Sequence, residues 1–395
     1  MMKLILKYKL QYLLAVLMLL SCKSNNKQNQ GPEDRQRPSA TQIISEFDTD
    51  KDGKLSETEV HGPLAEDFLN IDTDKDGFLT ESELENGPKP PPPMEQHENS
   101  VSPDDFDTTV KSVPVNTDLF IKENIIGEIA QETISLSGVE TLCYVIKTHS
   151  QATEHPMGPW CPRHIEDGME KAGIWFEEGK VYDVSGHFIA DLAEFYSDDK
   201  WRMYNEDGTI NVTLTKEACL AAAKPDVDEA YNNYCVECMP DFFKDQVTTF
   251  VIPVQPQYLT TAQSFGRGGI GMAFNGVNYD PPAPTHAILA AHTIAPLDDH
   301  GGHVNPHGGY HYHAVTGSTK EIAQEDAHAP MVGYAIDGFG IYALLDKNGD
   351  KPENLDECGG HSDEIRGYHY HAGEPGGNQI IGCLHGLPGY TDVQE

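Results

Sequence analysis

The sequence predicts a small all-α module followed by a large, mainly β (α+β) domain with a sandwich-like or closed sheet. An acidic twelve-residue pattern occurs twice between residues 45 and 87, and a run of prolines follows at residues 90–93. Beyond residue 109, short β-branched and aromatic segments are bounded by Gly, Pro and Asn, which is typical of strands. The predicted segments are a signal peptide (1–22), a tether (23–40), the acidic module (41–87), a proline-rich linker (88–108) and the large domain (109–395).

The N-terminal segment is typical of an export signal. Three lysines precede the apolar run at residues 13–20, which is too short to span a bilayer. The run ends at Cys22 in a sequence that resembles a bacterial lipobox, whose cysteine carries the lipid. Cys22 is therefore predicted to anchor the protein in the cell envelope, at the outer membrane or its periplasmic face. Residues 23–40 have no large apolar side chain and predict a flexible tether.

The charge of the chain excludes one class of partner. The formal net charge is −36, and fourteen acids but only three lysines lie between residues 45 and 87. Nucleic acid requires a basic surface, so it is not an expected partner. Such an acidic segment repels itself unless a cation neutralises it.

Two segments, beginning at Asp48 and Asp72, match the twelve-residue calcium loop of EF-hands. Carboxylates occupy loop positions 1, 3 and 5, glycine occupies position 6, a backbone carbonyl serves at position 7, and a chelating glutamate occupies position 12. Leucine at position 8 predicts a short strand that pairs the loops. The predicted calcium ligands are Asp48, Asp50, Asp52, Lys54, Glu59, Asp72, Asp74, Asp76, Phe78 and Glu83.

The loops begin only 24 residues apart, and Gly62-Pro63 interrupts their connector. This spacing leaves a dockerin-like loop–helix repeat as an alternative to a compact EF-hand pair. The prolines at residues 90–93 favour an extended spacer between the module and the large domain.

Seven of the eight cysteines remain after Cys22, so one thiol is expected to be free, metal-bound or in an intermolecular bond. Cys358 and Cys383 flank a hairpin-like segment and are the first choice for a disulfide. Cys143 with Cys161 is the second. The CxxC motif that begins at Cys235 is interpreted as a disulfide or loop staple.

Histidines concentrate near the C-terminus, with twelve of eighteen between residues 286 and 385. Two Tyr-His-Tyr-His stretches occur 58 residues apart and contribute His311, His313, His369 and His371. Alternate residues of a strand share a face, so each stretch turns both imidazoles to one side. If the two strands approach, four imidazoles converge on one zinc or copper ion. The alternative is a set of buried, hydrogen-bonded histidines that hold a hairpin in register.

Several of these segments resemble the YHYH family. The segments that carry the resemblance lie at residues 154–158, 271–277, 302–313, 331–342 and 355–371, with Gly382-Cys383. The likeness spans roughly residues 143–386 and has no counterpart between residues 160 and 250, which predicts an insertion there. The resemblance implies an exported protein, sometimes with calcium loops, but no particular reaction.

Three functional hypotheses follow from these patterns. The first is a lipid-anchored calcium-binding protein whose histidine-rich domain holds a transition metal. The second is a zinc- or copper-dependent enzyme of unspecified substrate, with Asp337 or His155 as a general base or as a partner of the ligands. The third is a docking or adhesion protein that uses the acidic module. No GxSxG, HExxH or P-loop motif occurs to name a reaction.

Overall fold

A computed structural model describes the chain in two compact units, Met1–Pro93 and Met94–Glu395. The division falls inside the predicted linker 88–108. The residues described are 40–47, 51, 53–56, 59–60, 71, 77–86, 101–224, 226–265 and 268–394. The predicted signal peptide with Cys22, and the tether up to residue 39, lie outside them. None of the helices in these ranges has the length and apolar composition needed to cross a bilayer.

The expectation of an all-α N-terminal module is wrong. Its described elements are α1 (Ala40–Phe47), β1 (Leu55–Ser56), β2 (Phe78–Leu79) and α2 (Glu81–Asn86). The two strands pair antiparallel, with Leu55 opposite Leu79, which confirms the predicted strand between the loops. Both leucines are fully buried, and a glycine with positive φ precedes each strand. Because the two strands pair, Leu55 and Leu79 lie in the same small buried cluster.

The second unit is mainly β, and its helices are short. Its strands are β3 (Ala130–Leu136), β4 (Val139–His149), β5 (Ile174–Glu177), β6 (Lys180–Asp183), β7 (Val247–Pro253), β8 (Tyr258–Gln263), β9 (Gly271–Ala273), β10 (Asn278–Tyr279), β11 (Gly302–Asn305), β12 (Gly309–Tyr312), β13 (Met331–Ala335), β14 (Gly340–Tyr342), β15 (Gly360–Asp363), β16 (Gly367–His371), β17 (Leu384–Gly386) and β18 (Tyr390–Gln394). Its α-helices are α3 (Gly186–Ala190), α4 (Leu192–Phe195), α5 (Lys216–Ala222) and α6 (Thr285–Ala290). Single 3-10 turns lie at Pro103–Asp105, Thr117–Leu119, Lys122–Asn124, Met169–Lys171, Glu229–Tyr231, Pro240–Phe242 and Pro375–Gly377.

An eight-stranded sheet in the order β11-β12-β10-β9-β13-β14-β16-β15 carries both Tyr-His-Tyr-His stretches. The sheet consists of two similar halves. In each half a central hairpin (β9–β10 or β13–β14) pairs in parallel with the inner strand of an outer hairpin (β11–β12 or β15–β16). The halves meet where β9 pairs antiparallel with β13.

The two halves also repeat in sequence. The segment 297–314 aligns without gaps with 355–372, and both contain Leu-Asp, Gly-Gly-His and Gly-Tyr-His-Tyr-His-Ala at the same spacing. The strand register repeats as well, since His303 pairs with His311 and His361 pairs with His369. The two halves are therefore repeats of one hairpin-rich unit, with equivalent side chains in equivalent positions.

A glycine with positive φ begins the inner strand of each outer hairpin. Gly309 has φ +64° and Gly367 has φ +66°, a region that L side chains rarely adopt. A Cβ at Gly309 would collide with Ser150, and one at Gly367 with the backbone carbonyl of Lys111. Each glycine therefore lets its Tyr-His-Tyr-His strand begin against a neighbouring segment.

A four-stranded antiparallel sheet in the order β18-β7-β4-β3 shares the main core with the eight-stranded sheet. Ile146 and Phe250 of the smaller sheet belong to the same buried cluster as Met272 and Tyr334 of the larger one. The tyrosines of both Tyr-His-Tyr-His strands point into this core, because alternate residues of a strand face opposite sides.

The segment between β4 and β7 forms a second core around Trp175 and Trp201. The longest described helix of this segment is α5, over Lys216–Ala222. The helix begins there because the Thr215 side chain accepts a hydrogen bond from the backbone N–H of Ala218. This segment corresponds to the insertion predicted between residues 160 and 250.

Candidate metal centres

The first histidine cluster consists of His303 on β11 with His311 and His313 on and just after β12. The Nε2 atoms of His311 and His313 are 3.1 Å apart, and those of His313 and His303 are 3.3 Å apart. One ligand atom from each of the three residues lies within 4.8 Å of the others. His303 reaches the cluster because it lies directly opposite His311 in the hairpin register.

The second histidine cluster consists of His361, His369 and His371 with His328, which precedes β13. The Nε2 atom of His369 lies 3.1 Å from that of His328 and 3.1 Å from that of His361. The Nε2 atoms of His371 and His361 are 3.2 Å apart. Four imidazoles therefore meet at one point in the second half of the sheet.

Backbone carbonyls hold the other ring nitrogen of six of these seven imidazoles. In the first cluster, Nδ1 of His311 lies 3.0 Å from the Gly309 oxygen, and Nδ1 of His313 lies 2.7 Å from the Pro281 oxygen. A carbonyl only accepts hydrogen bonds, so the proton of the neutral ring sits on Nδ1 and Nε2 presents a lone pair. In the second cluster the same contacts join His328 to Ala329, His361 to Glu353, His369 to Gly367 and His371 to Ala343.

Burial favours the neutral form of five of these imidazoles, those of His303, His313, His328, His369 and His371. It lowers the pKa of His313 to about 3 and the pKa of His303 well below its usual range, with neighbouring histidines adding to the effect. In the second cluster burial lowers the pKa of His369 to about 3 and that of His371 to about 4. Neutral imidazole is the form that binds metal ions.

This donor set fits a transition-metal ion. Lone pairs on neighbouring Nε2 atoms repel each other, and with the protons on Nδ1 no hydrogen bond joins them. A four-coordinate ion with metal–nitrogen bonds of about 2.0–2.1 Å places its nitrogens about 3.3–3.4 Å apart. The separations of 3.1–3.3 Å within both clusters are close to this value. Either cluster can therefore hold an ion such as zinc or copper.

The four predicted histidines do not share one point. His311 and His313 belong to the first cluster and His369 and His371 to the second. Four strands separate β12 from β16 in the sheet, which at about 4.8 Å per strand is roughly 24 Å. The predicted convergence on a single ion is wrong, because the two strands occupy equivalent places in opposite halves of the sheet.

The sequence analysis did not identify three of the cluster histidines as metal ligands. His303 and His361 each precede the first histidine of their Tyr-His-Tyr-His stretch by eight residues and follow a Gly-Gly pair. This repeated Gly-Gly-His was a usable signal, because a tight hairpin brings such positions opposite each other. His328 has no counterpart in the first half, so no repeat identified it.

The surroundings of the two clusters differ. Beside the first, Asp280 Oδ2 lies 3.6 Å from His311 Nε2, and burial raises the pKa of that carboxyl. The Asn305 amide nitrogen lies 3.4 Å from the same His311 atom. At the rim of the second, Arg366 pairs with Asp363 and Asp326.

On the opposite face of the sheet, the tyrosines of both stretches bind carboxylates and an amide. Tyr310 donates to Asp298 at 2.7 Å, and Tyr368 donates to Asp356 at 2.8 Å. These two hydrogen bonds occupy equivalent positions in the repeat. Tyr370 donates to Asp337 at 2.6 Å. In the first half the position of Asp337 is taken by Asn275, whose amide donates to the Tyr312 oxygen at 2.7 Å.

The two predicted general bases also lie on this tyrosine face. His155 stacks on His300 with ring centroids 3.5 Å apart, and its Nε2 lies 2.7 Å from the Tyr312 oxygen. Asp337 is fully buried and accepts from Tyr370 and from the backbone N–H groups of Phe339 and Gly386. Neither residue lies beside a histidine cluster. Each instead hydrogen-bonds to a tyrosine on the opposite face of the sheet.

The pH dependence of the free energy of unfolding tests the role of Asp337 among these tyrosine hydrogen bonds. Burial raises the pKa of Asp337 to about 6, so the folded protein holds a proton that the unfolded chain releases near its ordinary value of about 4. The free energy of unfolding then falls as the pH rises from about 4 to about 6, by at most about 3 kcal/mol. Asp337→Asn, which copies Asn275, should remove this slope. Denaturant unfolding of the wild type and of Asp337→Asn between pH 4 and 8 measures this slope. Parallel plots of the free energy of unfolding against pH would contradict the prediction.

Three disulfides join the cysteines of the second unit. Cys358 pairs with Cys383 as predicted, while Cys161 pairs with Cys235 and Cys219 with Cys238. The predicted Cys143–Cys161 pairing is wrong, since Cys161 pairs with Cys235 and Cys143 is a buried free thiol in β4. A third grouping of Asp356, Cys358 and His385 offers no thiolate for a metal, because Cys358 is in a disulfide.

The acidic loops of the N-terminal unit are alike at their described residues. Gly53 and Gly77, at loop position 6, have φ +85° and +83°. The Glu59 carboxylate accepts from the backbone and hydroxyl of Ser56 at 2.9 and 2.8 Å, and Glu83 accepts from Thr80 at 3.0 and 2.7 Å. Lys54 and Phe78 are described too. The other predicted ligands, Asp48, Asp50, Asp52, Asp72, Asp74 and Asp76, lie outside the described residues.

The acidic stretch Asp346–Asp350 forms a turn. The Asp346 carboxylate accepts from the backbone N–H groups of Asn348 and Asp350 at 2.7 and 2.9 Å. These bonds use the carboxylate within the turn.

Fold and site together define a mainly β protein with a duplicated histidine-rich hairpin. Residues 249–352 match the family model described as YHYH protein, so the chain contains a YHYH domain. The match includes the first cluster and His328 but ends before β15 and β16. No curated protein and no solved structure is significantly similar to the chain.

Proposed function

We propose that this protein is an envelope lipoprotein whose YHYH domain binds two transition-metal ions, one in each histidine cluster, and whose acidic loops bind calcium. The observation that carries the proposal is the set of imidazoles whose neighbouring Nε2 atoms lie 3.1–3.3 Å apart, while backbone carbonyls fix Nδ1 in six of the seven. Because unprotonated nitrogens repel at this separation, a cation between them stabilises the arrangement.

Zinc and copper are the ions that this donor set favours. Imidazole nitrogen is an intermediate ligand that suits both, whereas calcium and magnesium require oxygen ligands. The carbonyls on Nδ1 act as the outer partners that orient metal-binding histidines and raise their basicity.

Metal analysis of the mature protein, purified without a histidine tag, tests the transition-metal sites. We expect two equivalents of zinc or copper per chain, or two equivalents taken up by the apoprotein when either ion is titrated. Elemental analysis and calorimetry give the stoichiometry. Protein that contains neither ion and takes up neither at micromolar concentration would refute the proposal.

Calcium binding by the loops that begin at Asp48 and Asp72 is supported by their matching ligand pattern and by the buried carboxylates of Glu59 and Glu83. We expect Glu59→Gln with Glu83→Gln to weaken calcium binding at least roughly tenfold, a loss of about 1.4 kcal/mol per site. The reason is that position 12 supplies both oxygens of a charged ligand. Calorimetric titration of calcium measures the change, and Ser82→Ala is the neighbouring control. Equal affinities in the variant and the control would contradict the assignment.

Attachment to the envelope is proposed from the lipobox-like sequence at Cys22. A Cys22→Ser variant should move from the detergent phase to the aqueous phase in a phase-separation assay. Unchanged partitioning would show that another feature anchors the protein.

A further inference from the structure

A cavity of about 260 Å³ opens beside the first histidine cluster. His303 and His313 form part of its wall, and Asp280 lies at the same edge. The rest of the lining is largely apolar and rigid, with Trp160, Pro281 and Ile288 among its residues. A site where ligand nitrogens border an apolar cavity has the form of a small-molecule site.

The cavity is built by two different parts of the chain. The sheet contributes the histidines, while Trp160, Ala223 and Val236 come from the inserted segment between β4 and β7, which lies outside the family match at 249–352. Disulfides Cys161–Cys235 and Cys219–Cys238 hold that segment, and Cys238 itself lines the cavity. The wall is therefore fixed in place before any ligand enters, which lowers the entropic cost of binding.

Among the charged residues that line the cavity, Asp280 is the one whose carboxylate lies next to the first histidine cluster. Glu237 is paired with Arg163 at 2.5 Å, and Lys224 lies 3.5 Å from Asp226. Asp280 instead lies 3.6 Å from His311. Its Oδ1 accepts a hydrogen bond from the Asn278 amide, and its Oδ2 is placed to accept one from a group that approaches the three histidines.

The second cluster lacks these features. It supplies four imidazoles, enough for a complete tetrahedral shell, and the cavity beside it is lined by Asp326, Asp346, Asp350 and Arg366. The first cluster supplies three imidazoles, which leaves one position of such a shell open. Closed shells are typical of structural sites and open ones of ligand-binding or catalytic sites.

We propose that the first cluster and its cavity bind a small molecule with one aromatic or branched aliphatic group and a single nitrogen or oxygen donor. The donor takes the open position on the metal, and the apolar group fills the cavity. A cavity of about 150 Å³ holds one benzene ring, so 260 Å³ accommodates one ring with a short polar substituent. This inference rests on the proposed metal site.

The test uses protein that carries His369→Ala and His371→Ala, so that only the first cluster retains its full set of histidines. The protein is loaded with Co²⁺, whose visible spectrum reports the ligands around the ion. The probe is 4-phenylimidazole, and imidazole is the matched donor without the ring. We expect the probe to change the Co²⁺ spectrum and to bind at least tenfold more tightly than imidazole.

Two variants separate the cavity from the metal. Ala223→Trp fills the cavity and should reduce probe binding at least tenfold without changing the affinity for imidazole. Leu220→Trp, at an exposed position of α5, should change neither. Ile288→Trp replaces Ala223→Trp if the latter is not folded by near-ultraviolet circular dichroism. Co²⁺ binding with equal affinities for probe and imidazole would overturn the inference alone. Absence of Co²⁺ binding would overturn the metal site as well.

Discussion

Each pair of histidine substitutions should remove one metal ion and leave the other. We expect His311→Ala with His313→Ala to retain one equivalent in the second cluster, and His369→Ala with His371→Ala to retain one in the first. Combining all four should leave none. The reason is that the clusters lie in opposite halves of the sheet, roughly 24 Å apart, so no ligand is shared and the losses should add.

Metal analysis and calorimetry on the four proteins measure this effect. His187→Ala with His286→Ala, two exposed histidines outside both clusters, is the matched control and should retain two equivalents. Each lost ion should also lower the thermal midpoint at saturating metal, because an ion that binds only the folded state stabilises it by mass action. Loss of both ions from either double variant would show that the two sites depend on each other.

Asp298→Ala should destabilise the second unit by about 3–5 kcal/mol, because it leaves several buried donors unpaired at about 1–3 kcal/mol each. Asp298 is fully buried, and its two oxygens accept from the Tyr310 hydroxyl and from the backbone of Gly158, His300 and Gly302. Removing the carboxylate leaves these donors without an acceptor. Because Gly302 precedes His303, the substitution should also weaken metal binding in the first cluster.

The duplicated half supplies the control for this prediction. Asp356 accepts equivalent bonds from Tyr368, Cys358 and Gly360, but a quarter of its side chain is exposed. Water can therefore hydrogen-bond to some of the donors that Asp356→Ala leaves without an acceptor. We expect the free energy of unfolding to fall by only about 1–3 kcal/mol. Denaturant unfolding with the metal-free proteins compares the two. A larger loss for Asp356→Ala than for Asp298→Ala would contradict the argument from burial.

Local patterns in the sequence were sufficient for several features of the structure. The alternation in Tyr-His-Tyr-His predicted strands with imidazoles on one face and tyrosines on the other, because that alternation follows from strand geometry alone. Leucine at position 8 of each acidic loop predicted the Leu55–Leu79 pairing. The flanking positions of Cys358 and Cys383 predicted their disulfide. Each of these features depends on residues close to one another along the chain.

Features that depend on how distant segments pack were missed. His328 joins the second cluster from a different segment of the chain, and Cys161 pairs with Cys235 rather than with Cys143. The all-α expectation for the first unit failed because a loop motif specifies its ligands but not the length of the elements around it.

The sequence by itself determined four of the seven clustered imidazoles as metal-ligand candidates, His311, His313, His369 and His371, since residue type and spacing set the chemistry of a side chain. Only the tertiary structure decided how they group. Sheet order placed two similar strands in opposite halves, so the same motif made two separate clusters instead of one. The segment between β4 and β7 contributes Trp160, Ala223 and Val236 to a cavity beside the first cluster, whereas acidic residues and Arg366 line the cavity beside the second, so two clusters of similar sequence have different surroundings.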